Sequence, residues 1–356
     1  MTHPKMDSRW TPVARRMVEG LGVCSGESIE VEDGSCRPDV LQEVLREIDR
    51  VGATPLTRIT SRDSVASMLA EASQEELEGW DSPRRDWLSK TDRKLIVGSM
   101  YPDLSSVPPA AVDAWTRAVS RLTALEEERR MPILVAGIPI AMRAELCGLS
   151  LEALEELLIP ALAVPAAELR VEVDRVLGVV QECRESVIIT GGRHELRLKH
   201  GERRWNGDDG CIDQEDRQRG AIVSNLPGGS VYTTVLESET EGTLWLPRAG
   251  QAVDVELRFH QGRVVEIAAA SGASLLTEMF DKNSGEPRRI SHIGIGLNPY
   301  LHRAIGWTLI DEHVHNSLFI AFGENCYMGG KNSSSLNVDF HVPDATFIAD
   351  GRTVVE

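Results

Sequence analysis

The chain has 356 residues, of which 42% are hydrophobic and 26% are charged, as is ordinary for a globular protein with room for two cores. Its formal net charge of -17 argues against a nucleic-acid partner or an anionic membrane surface, because binding phosphates requires clustered Lys and Arg. No window holds about 18 apolar residues without charge, so no membrane span is predicted.

The N-terminus and the cysteines indicate a reducing compartment. No long apolar run follows the first charged residues, so we expect no signal peptide. The six cysteines include no Cys-x-x-Cys pair, so we expect no structural zinc knuckle. A cytoplasmic protein with reduced thiols is therefore expected.

Residues 1–185 alternate between helix and strand patterns. Lys94–Ser99 and Pro132–Gly137 are short continuous apolar runs, which are typical of buried parallel strands. The alternation predicts an open α/β domain with a mostly parallel sheet, and its glycines form no nucleotide-binding motif. The remaining predicted elements are the helices Val13–Leu21, Pro38–Gly52, Ser64–Ala72, Pro109–Glu128, Leu151–Leu158 and Ala166–Cys183, and the strands Ser28–Val31 and Pro55–Ile59.

Residues 186–356 have a different pattern, with short β-like runs separated by Gly, Asn and Asp. This pattern predicts a second, β-rich α+β domain, with the boundary near residues 184–191. The predicted strands are Val187–Thr190, Glu195–Lys199, Ala221–Ser224, Val231–Val235, Gly242–Leu246, Ala252–Phe259 and Val264–Ala269, and the predicted helices are Ala273–Phe280 and Tyr300–Trp307.

Chemistry-bearing residues concentrate between Ser291 and His341. In an extended strand, Asn337, Asp339 and His341 would point to one face, while the apolar residues between them would cover the other. These three side chains could form a ligand-binding face, but the same alternation is typical of a strand with one solvated face. Both interpretations stay open at this point.

His292 favours the interpretation that this face binds a ligand. It precedes Gly294 and Gly296, which allow a backbone to approach a ligand closely. Two imidazoles and one carboxylate from separate strands could hold one divalent ion, Fe2+ or Zn2+, and leave coordination positions open. The predicted metal-site residues are His292, Asp339 and His341, with Asn337 as a weak ligand or an orienting residue.

Four segments resemble the aminopeptidase T-like metallopeptidase family, in the order in which they occur in that family. They are Asn225–Thr233, His292–Pro299, Phe319–Gly323 followed by Tyr327, and Asn337–Phe340. The resemblance covers about the last 130 residues. It implies the family's fold, and it implies a homo-oligomer because relatives assemble as oligomers.

The resemblance also implies a changed metal site. The family's peptidases bind two metals through Glu, Glu, His, Tyr, His and Asp, and only the Tyr and the Asp are kept here, which argues against a two-metal site. A branch of the family, the 2,5-dihydroxypyridine ring-cleaving dioxygenases, carries His at the second Glu position and holds one Fe(II). The corresponding residues of this chain are Ser230, His292, Phe319, Tyr327, Asn337 and Asp339.

Three hypotheses for function follow. The first is a single-metal hydrolase of a small amino-acid-like or amide substrate, with Tyr327 stabilising the oxyanion and Glu312 or Glu324 as general base. The second is a mononuclear Fe(II) dioxygenase that opens an electron-rich N-heteroaromatic ring. The third is a binding protein that keeps the fold and has lost catalysis.

Overall fold

A computed structural model describes residues 8–98 and 102–356, so Ser99, the last residue of one predicted strand, lies outside the described part. No helix within these ranges is both long and apolar enough to cross a membrane. The helices are α1 (Trp10–Gly20), α2 (Pro38–Val51), α3 (Arg62–Glu71), α4 (Gln74–Glu78), α5 (Ser82–Leu88), α6 (Pro109–Glu128), α7 (Ala141–Leu146), α8 (Leu151–Leu162), α9 (Ala166–Val180), α10 (Gln214–Arg219), α11 (Ala273–Asp281) and α12 (Thr308–Asp311). A 3-10 turn covers Cys326–Met328.

The strands form three sheets. They are β1 (Ser28–Asp33), β2 (Thr54–Ile59), β3 (Arg93–Val97), β4 (Ile133–Ala136), β5 (Glu185–Thr190), β6 (His194–Lys199), β7 (Asn206–Asp208), β8 (Val223–Leu226), β9 (Ser230–Thr234), β10 (Glu241–Ala249), β11 (Ala252–His260), β12 (Arg263–Ser271), β13 (Ile290–Gly296), β14 (Ser317–Gly323), β15 (Asn337–Val342), β16 (Thr346–Ala349) and β17 (Arg352–Val355).

One sheet is parallel and two are antiparallel. The parallel sheet has the order β2-β1-β3-β4-β8. A seven-stranded antiparallel sheet has the order β12-β11-β10-β6-β5-β16-β17, and a five-stranded antiparallel sheet has the order β15-β14-β13-β9-β7. The predicted fold class, an α/β part followed by a β-rich part, is confirmed.

The chain forms two compact units, and each consists of two segments. The first unit comprises Met1–Ala166 and Gly210–Pro227, and the second comprises Ala167–Asp209 and Gly228–Glu356. This division differs from the predicted boundary at residues 185 and 186. Strand β8, which the sequence pattern assigned to the second domain, completes the parallel sheet of the first unit by pairing with β4.

The second unit has a core between its sheets that fixes which face of the five-stranded sheet is buried. Phe322 of β14 packs against Phe259, Phe280 and Phe340, with ring centroids 5.5–6.0 Å apart. Alternate residues of β13, β14 and β15 enter this core, so the residues between them point to the opposite face.

The predicted helix Tyr300–Trp307 is wrong, because these residues form irregular backbone before α12. The carboxylate of Asp311 accepts hydrogen bonds from the backbone N–H groups of Ile305 (2.8 Å) and Gly306 (2.9 Å). Gly306 has a left-handed φ of +79°. The Asp311 side chain therefore closes a turn where an apolar spacing suggested a helix.

We expect His200 to make the second unit less stable as the pH falls. His200 is fully buried, with its Nε2 2.7 Å from the Ser186 hydroxyl, and burial lowers its pKa from 6.5 to about 4. Between these values the unfolded chain binds a proton that the folded chain does not, so stability present above pH 6.5 is lost toward pH 4. The expected loss between pH 7 and pH 5 is about 2 kcal/mol.

Urea unfolding of wild type and His200→Gln at both pH values measures this loss. The pH-dependent change in the free energy of unfolding should be about 2 kcal/mol smaller in His200→Gln than in wild type, whereas His302→Gln, at an exposed position, should keep the wild-type change. An unchanged pH dependence in His200→Gln would contradict the assignment.

Candidate functional site

The five-stranded sheet presents one face that is not part of the core, and we call it the polar face. Strand pairing brings Asp339 opposite Ala321, His341 opposite Phe319, and Gly294 between Phe319 and Tyr232. Residues on this face, taken from β7 to β15, are Asp208, Ser230, Tyr232, Thr234, His292, Gly294, Gly296, Ser317, Phe319, Ala321, Asn337, Asp339 and His341.

The structure brings His292 and Asp339 together on the polar face. Nε2 of His292 lies 2.9 Å from Oδ1 of Asp339, and the side chains are 7% and 17% exposed. Oδ1 is nevertheless a buried atom that accepts no hydrogen bond from the described residues. The imidazole nitrogen and the carboxylate oxygen therefore face each other at short range without hydrogen-bond geometry.

Ser291 fixes the protonation of the His292 ring. Its hydroxyl donates to the backbone carbonyl of Glu324 at 2.8 Å, which uses its one proton. The hydroxyl oxygen is then an acceptor for Nδ1 of His292, 2.9 Å away, so Nδ1 carries a proton. In the neutral ring this leaves the Nε2 lone pair directed at Asp339, and two acceptors at 2.9 Å require a cation between them or a proton on Nε2.

These two residues fit the ligands of one metal ion. An imidazole whose other nitrogen donates to a fixed acceptor is the usual arrangement of a metal-binding His, and a carboxylate oxygen without a hydrogen bond is free to coordinate. Among residues 8–98 and 102–356, however, no group of three or more His, Cys, Asp or Glu side chains is arranged to hold a metal. The chain thus supplies a pair of strong ligands rather than a full set.

His341 does not complete the set, which differs from the prediction. It lies on the same strand face as Asp339 but one rung away, opposite Phe319. Its Nε2 is 2.5 Å from the Ser317 hydroxyl, and burial lowers the pKa of the ring to about 4. Asn337, the predicted weak ligand, donates from Nδ2 to the Tyr327 hydroxyl at 3.2 Å.

Glu312 lies close enough to Asp339, Asp208 and His313 for all three to affect its pKa. Gly296 lets the 313–314 backbone cross the sheet closely, since a Cβ there would lie 2.2 Å from the Val314 carbonyl oxygen. Oε1 of Glu312 is 3.4 Å from Nε2 of the fully buried His313. Burial raises the pKa of Glu312, and the charges of Asp339 and Asp208 raise it further against the effect of His313.

The pKa of His313 is raised as well. Burial disfavours its charged form, but the Glu312 and Asp208 carboxylates outweigh this and raise its pKa. The raised pKa of each group favours its protonated form beside the metal-ligand pair. Asp208 was missed by sequence reasoning, because β7 has three residues within a polar stretch that contains no strand pattern.

Tyr327 stands near the pair on the loop that follows β14. Although 62% of the residue is exposed, desolvation around its hydroxyl, together with the charges of Asp339 and Glu312, raises its pKa to about 12. The phenol is therefore protonated and can donate a hydrogen bond at neutral pH.

Glu324 has a structural position, and the prediction that it acts as a general base is not supported by its contacts. Its two carboxylate oxygens accept hydrogen bonds from the backbone N–H groups of Cys326 (2.8 Å) and Ser334 (2.9 Å). These bonds, the Ser334 bond foremost, lower the pKa of Glu324. The carboxylate closes the loop that carries Tyr327.

Two buried asparagines, which sequence reasoning also missed, hold this loop. Oδ1 of Asn325 accepts from the Asn332 backbone N–H at 2.8 Å, and Nδ2 of Asn332 donates to the Gly323 carbonyl at 2.5 Å. A Cβ at Gly330 would lie 2.0 Å from the Asn325 side chain, so only glycine fits there. The Gly-Gly pair at 329 and 330 was the available signal.

Phe319 fills part of the polar face with an apolar ring. It is 3% exposed, and its ring covers Gly294, where a Cβ would lie 2.1 Å from the ring. Its centroid is 6.0 Å from that of His292, with the rings nearly perpendicular. This position therefore offers no ligand atom beside His292.

Comparison with known proteins identifies the family. Residues 14–354 match the family model described as thermophilic metalloprotease (M29). The chain belongs to the M29 family. A search of curated proteins by sequence gave no match.

Solved structures agree with the M29 assignment in fold. Wild-type AmpT from Thermus thermophilus is 20% identical, with a TM-score of 0.73 over 98% of this chain and 97% of that one. A 2,5-dihydroxypyridine dioxygenase from Pseudomonas putida KT2440 is 17% identical, with a TM-score of 0.66 over 99% and 96%. At these identities the likeness establishes the shared fold.

Membership of the M29 family supports a metal-dependent enzyme and implies a divalent metal cofactor. It fixes neither the identity nor the number of the ions. His292 and Asp339 carry donor atoms of the kinds that bind divalent ions in proteins.

The contact between Gly294 and Phe319 predicts a steric constraint at the site. Gly294→Ala should lower the free energy of unfolding by about 1–3 kcal/mol, because the added methyl overlaps the Phe319 ring. Gly294→Ala combined with Phe319→Leu should lose less than the sum of the single variants. Gly178→Ala, where no atom lies within 4 Å of an added Cβ, is the matched control and should not destabilise. Chemical denaturation measures all four, and additive losses would contradict the contact.

Proposed function

We propose that this chain is a single-metal hydrolase that acts on a small amino-acid-like or amide substrate. The observation that carries the proposal is the Asp339 carboxylate oxygen, which is buried, accepts no hydrogen bond from any residue that the structure describes, and faces Nε2 of His292. Such an atom is costly to bury unless a cation compensates it. The proposed occupant is one divalent ion, Zn2+ or Fe2+.

The surrounding residues have the properties that hydrolysis requires. A bound ion would supply Lewis acidity and an acidified water. His292 and Asp339 would hold it, and the hydrogen bonds of Ser291 favour the His292 tautomer whose Nε2 lone pair faces Asp339. Glu312, with its raised pKa, would take a proton as general base, and the protonated Tyr327 would donate a hydrogen bond to the oxyanion.

Three positions favour one ion over two. Ser230, Phe319 and Asn337 stand where the resemblance places a Glu and two His, and none of them supplies an imidazole or a carboxylate. Phe319 in addition occupies its place with a buried ring. A second ion would lack the ligands and negative charge that two-metal sites use.

A second candidate is a mononuclear Fe(II) dioxygenase that opens an electron-rich aromatic ring. The imidazole of His292 at the position of a peptidase carboxylate favours it, together with the shared fold of the 2,5-dihydroxypyridine dioxygenase. His and Asp ligands with open positions suit Fe(II) oxygenases as well as zinc hydrolases.

Activity assays separate the candidates. Protein treated with chelator and reloaded with Zn2+ should release ammonia from leucinamide under nitrogen, and Asp339→Asn should abolish this release. Glu312→Gln should lower kcat by about 100-fold with KM nearly unchanged, because it removes the proton acceptor. Glu266→Gln, at an exposed carboxylate, is the control and should match wild type.

Other outcomes of these assays decide against hydrolysis. Fe2+-loaded protein that consumes oxygen with 2,5-dihydroxypyridine, and shows no ammonia release with either metal, would establish the dioxygenase instead. Ammonia release that persists in Asp339→Asn would contradict the proposed metal site.

A further inference from the structure

A cavity of about 450 Å³ lies within the first unit. Its wall includes residues 34–36 after β1, residues 60–63 after β2, and Ile140 and Met142 after β4. These segments leave the carboxyl ends of parallel strands, and the strand order β2-β1-β3-β4 reverses at β1. Open parallel sheets bind ligands at this edge and at this reversal, in cavities of comparable size.

Charged side chains in the wall form ion pairs with one another. Arg58 lies 2.5 Å from Glu32, and Lys94 lies 3.0 Å from Glu126 and 3.5 Å from Glu32. These side chains are partly to largely buried, which strengthens their pairing relative to surface ion pairs. They therefore offer a ligand no uncompensated charge.

The apolar part of the wall is aromatic. Trp80 and Trp115 meet edge to face, with ring centroids 6.3 Å apart and planes at 77°. Val119 and Leu122 of α6 and Ile96 of β3 extend the same surface. A flat aromatic body would gain both apolar burial and a favourable ring geometry against these tryptophans.

Two hydrogen-bond donors in the wall lack acceptors. Nε of Arg62 and Nε1 of Trp115 are buried and have no hydrogen-bond partner within the described ranges. The carboxylate nearest to Arg62 is Asp103, at 3.5 Å from Nη2 and 59% exposed, while Nη1 contacts the sulfur of Met142 at 3.3 Å. A guanidinium and an indole N–H donate only, so the missing group is an acceptor, and an oxyanion matches Arg62 best.

We propose that this cavity is a binding site for a small aromatic carboxylate. Its ring packs against Trp80 and Trp115, and its carboxylate accepts hydrogen bonds from Arg62, with the Trp115 indole N–H as a second donor. The lining residues belong to the first unit and the polar-face residues to the second, so the two sites share no residue and this proposal does not depend on the proposed hydrolase activity.

Phenylacetate is the probe, added to the full chain and followed by tryptophan fluorescence and calorimetry. Phenylacetamide, its neutral isostere, should bind about tenfold or more weakly, because it cannot form the charge-assisted bond. Arg62→Gln should weaken phenylacetate by a similar factor and leave phenylacetamide unchanged. Trp115→Phe, which keeps a ring and removes the N–H, should weaken phenylacetate by a smaller factor.

Two controls locate the binding. Arg117→Gln, at a 55% exposed arginine of α6, should bind phenylacetate as wild type does. Asp339→Asn should also bind it unchanged, which distinguishes this cavity from the polar face. Absence of binding by wild type at millimolar phenylacetate, equal binding by Arg62→Gln, or loss of binding in Asp339→Asn would each overturn the proposal.

Discussion

Nε2 of His292 and Oδ1 of Asp339 meet at 2.9 Å on a face from which most water is excluded, and this contact sets the chemistry of the second unit. The Ser291 hydroxyl donates its hydrogen bond to the Glu324 carbonyl and accepts one from Nδ1 of His292, so the proton of the neutral His292 ring is on Nδ1, the nitrogen farther from Asp339. Two lone pairs then point at one place, and a cation placed there satisfies both.

Packing of the opposite face of the sheet into the hydrophobic core keeps these two atoms in position. Ile293 and Phe340 enter the core, so His292 and Asp339 are turned outward by the alternation of their strands. A one-residue slip of either strand would bury the polar side chain and expose the apolar one. The hydrophobic core therefore specifies the register that brings the imidazole and the carboxylate together.

Around this pair the polar face differs from that of the peptidases the chain resembles. A buried phenyl ring at 319 takes the place of an imidazole, and glycine at 294 is the residue that makes room for it. Glu312 and Asp208 keep carboxyl groups on this face, and the charge of Asp208 raises the pKa of both Glu312 and His313. Among the described residues the face has few strong metal ligands, but it keeps two titratable groups, Glu312 and His313, whose pKa is raised.

Sequence patterns predicted the fold class because it depends on local periodicity. Alternation showed that Asp339 and His341 share a face, but it could not show that His341 stands one rung away and binds Ser317. The pattern of β8 is the same whether its neighbour is parallel or antiparallel, so its place in the first unit was not predictable. Asp208 and the Asn325–Asn332 contact depend on long-range pairing that leaves no local signal.

Anomalous diffraction from crystals of the chain grown with Zn2+, recorded at the zinc edge, tests the central claim most directly. We expect one peak per chain, within about 2 Å of both Nε2 of His292 and Oδ1 of Asp339, and no peak there in His292→Ala crystals. A peak at another position on the polar face, two peaks, or no peak with these two atoms joined by a hydrogen bond would contradict the single-metal account.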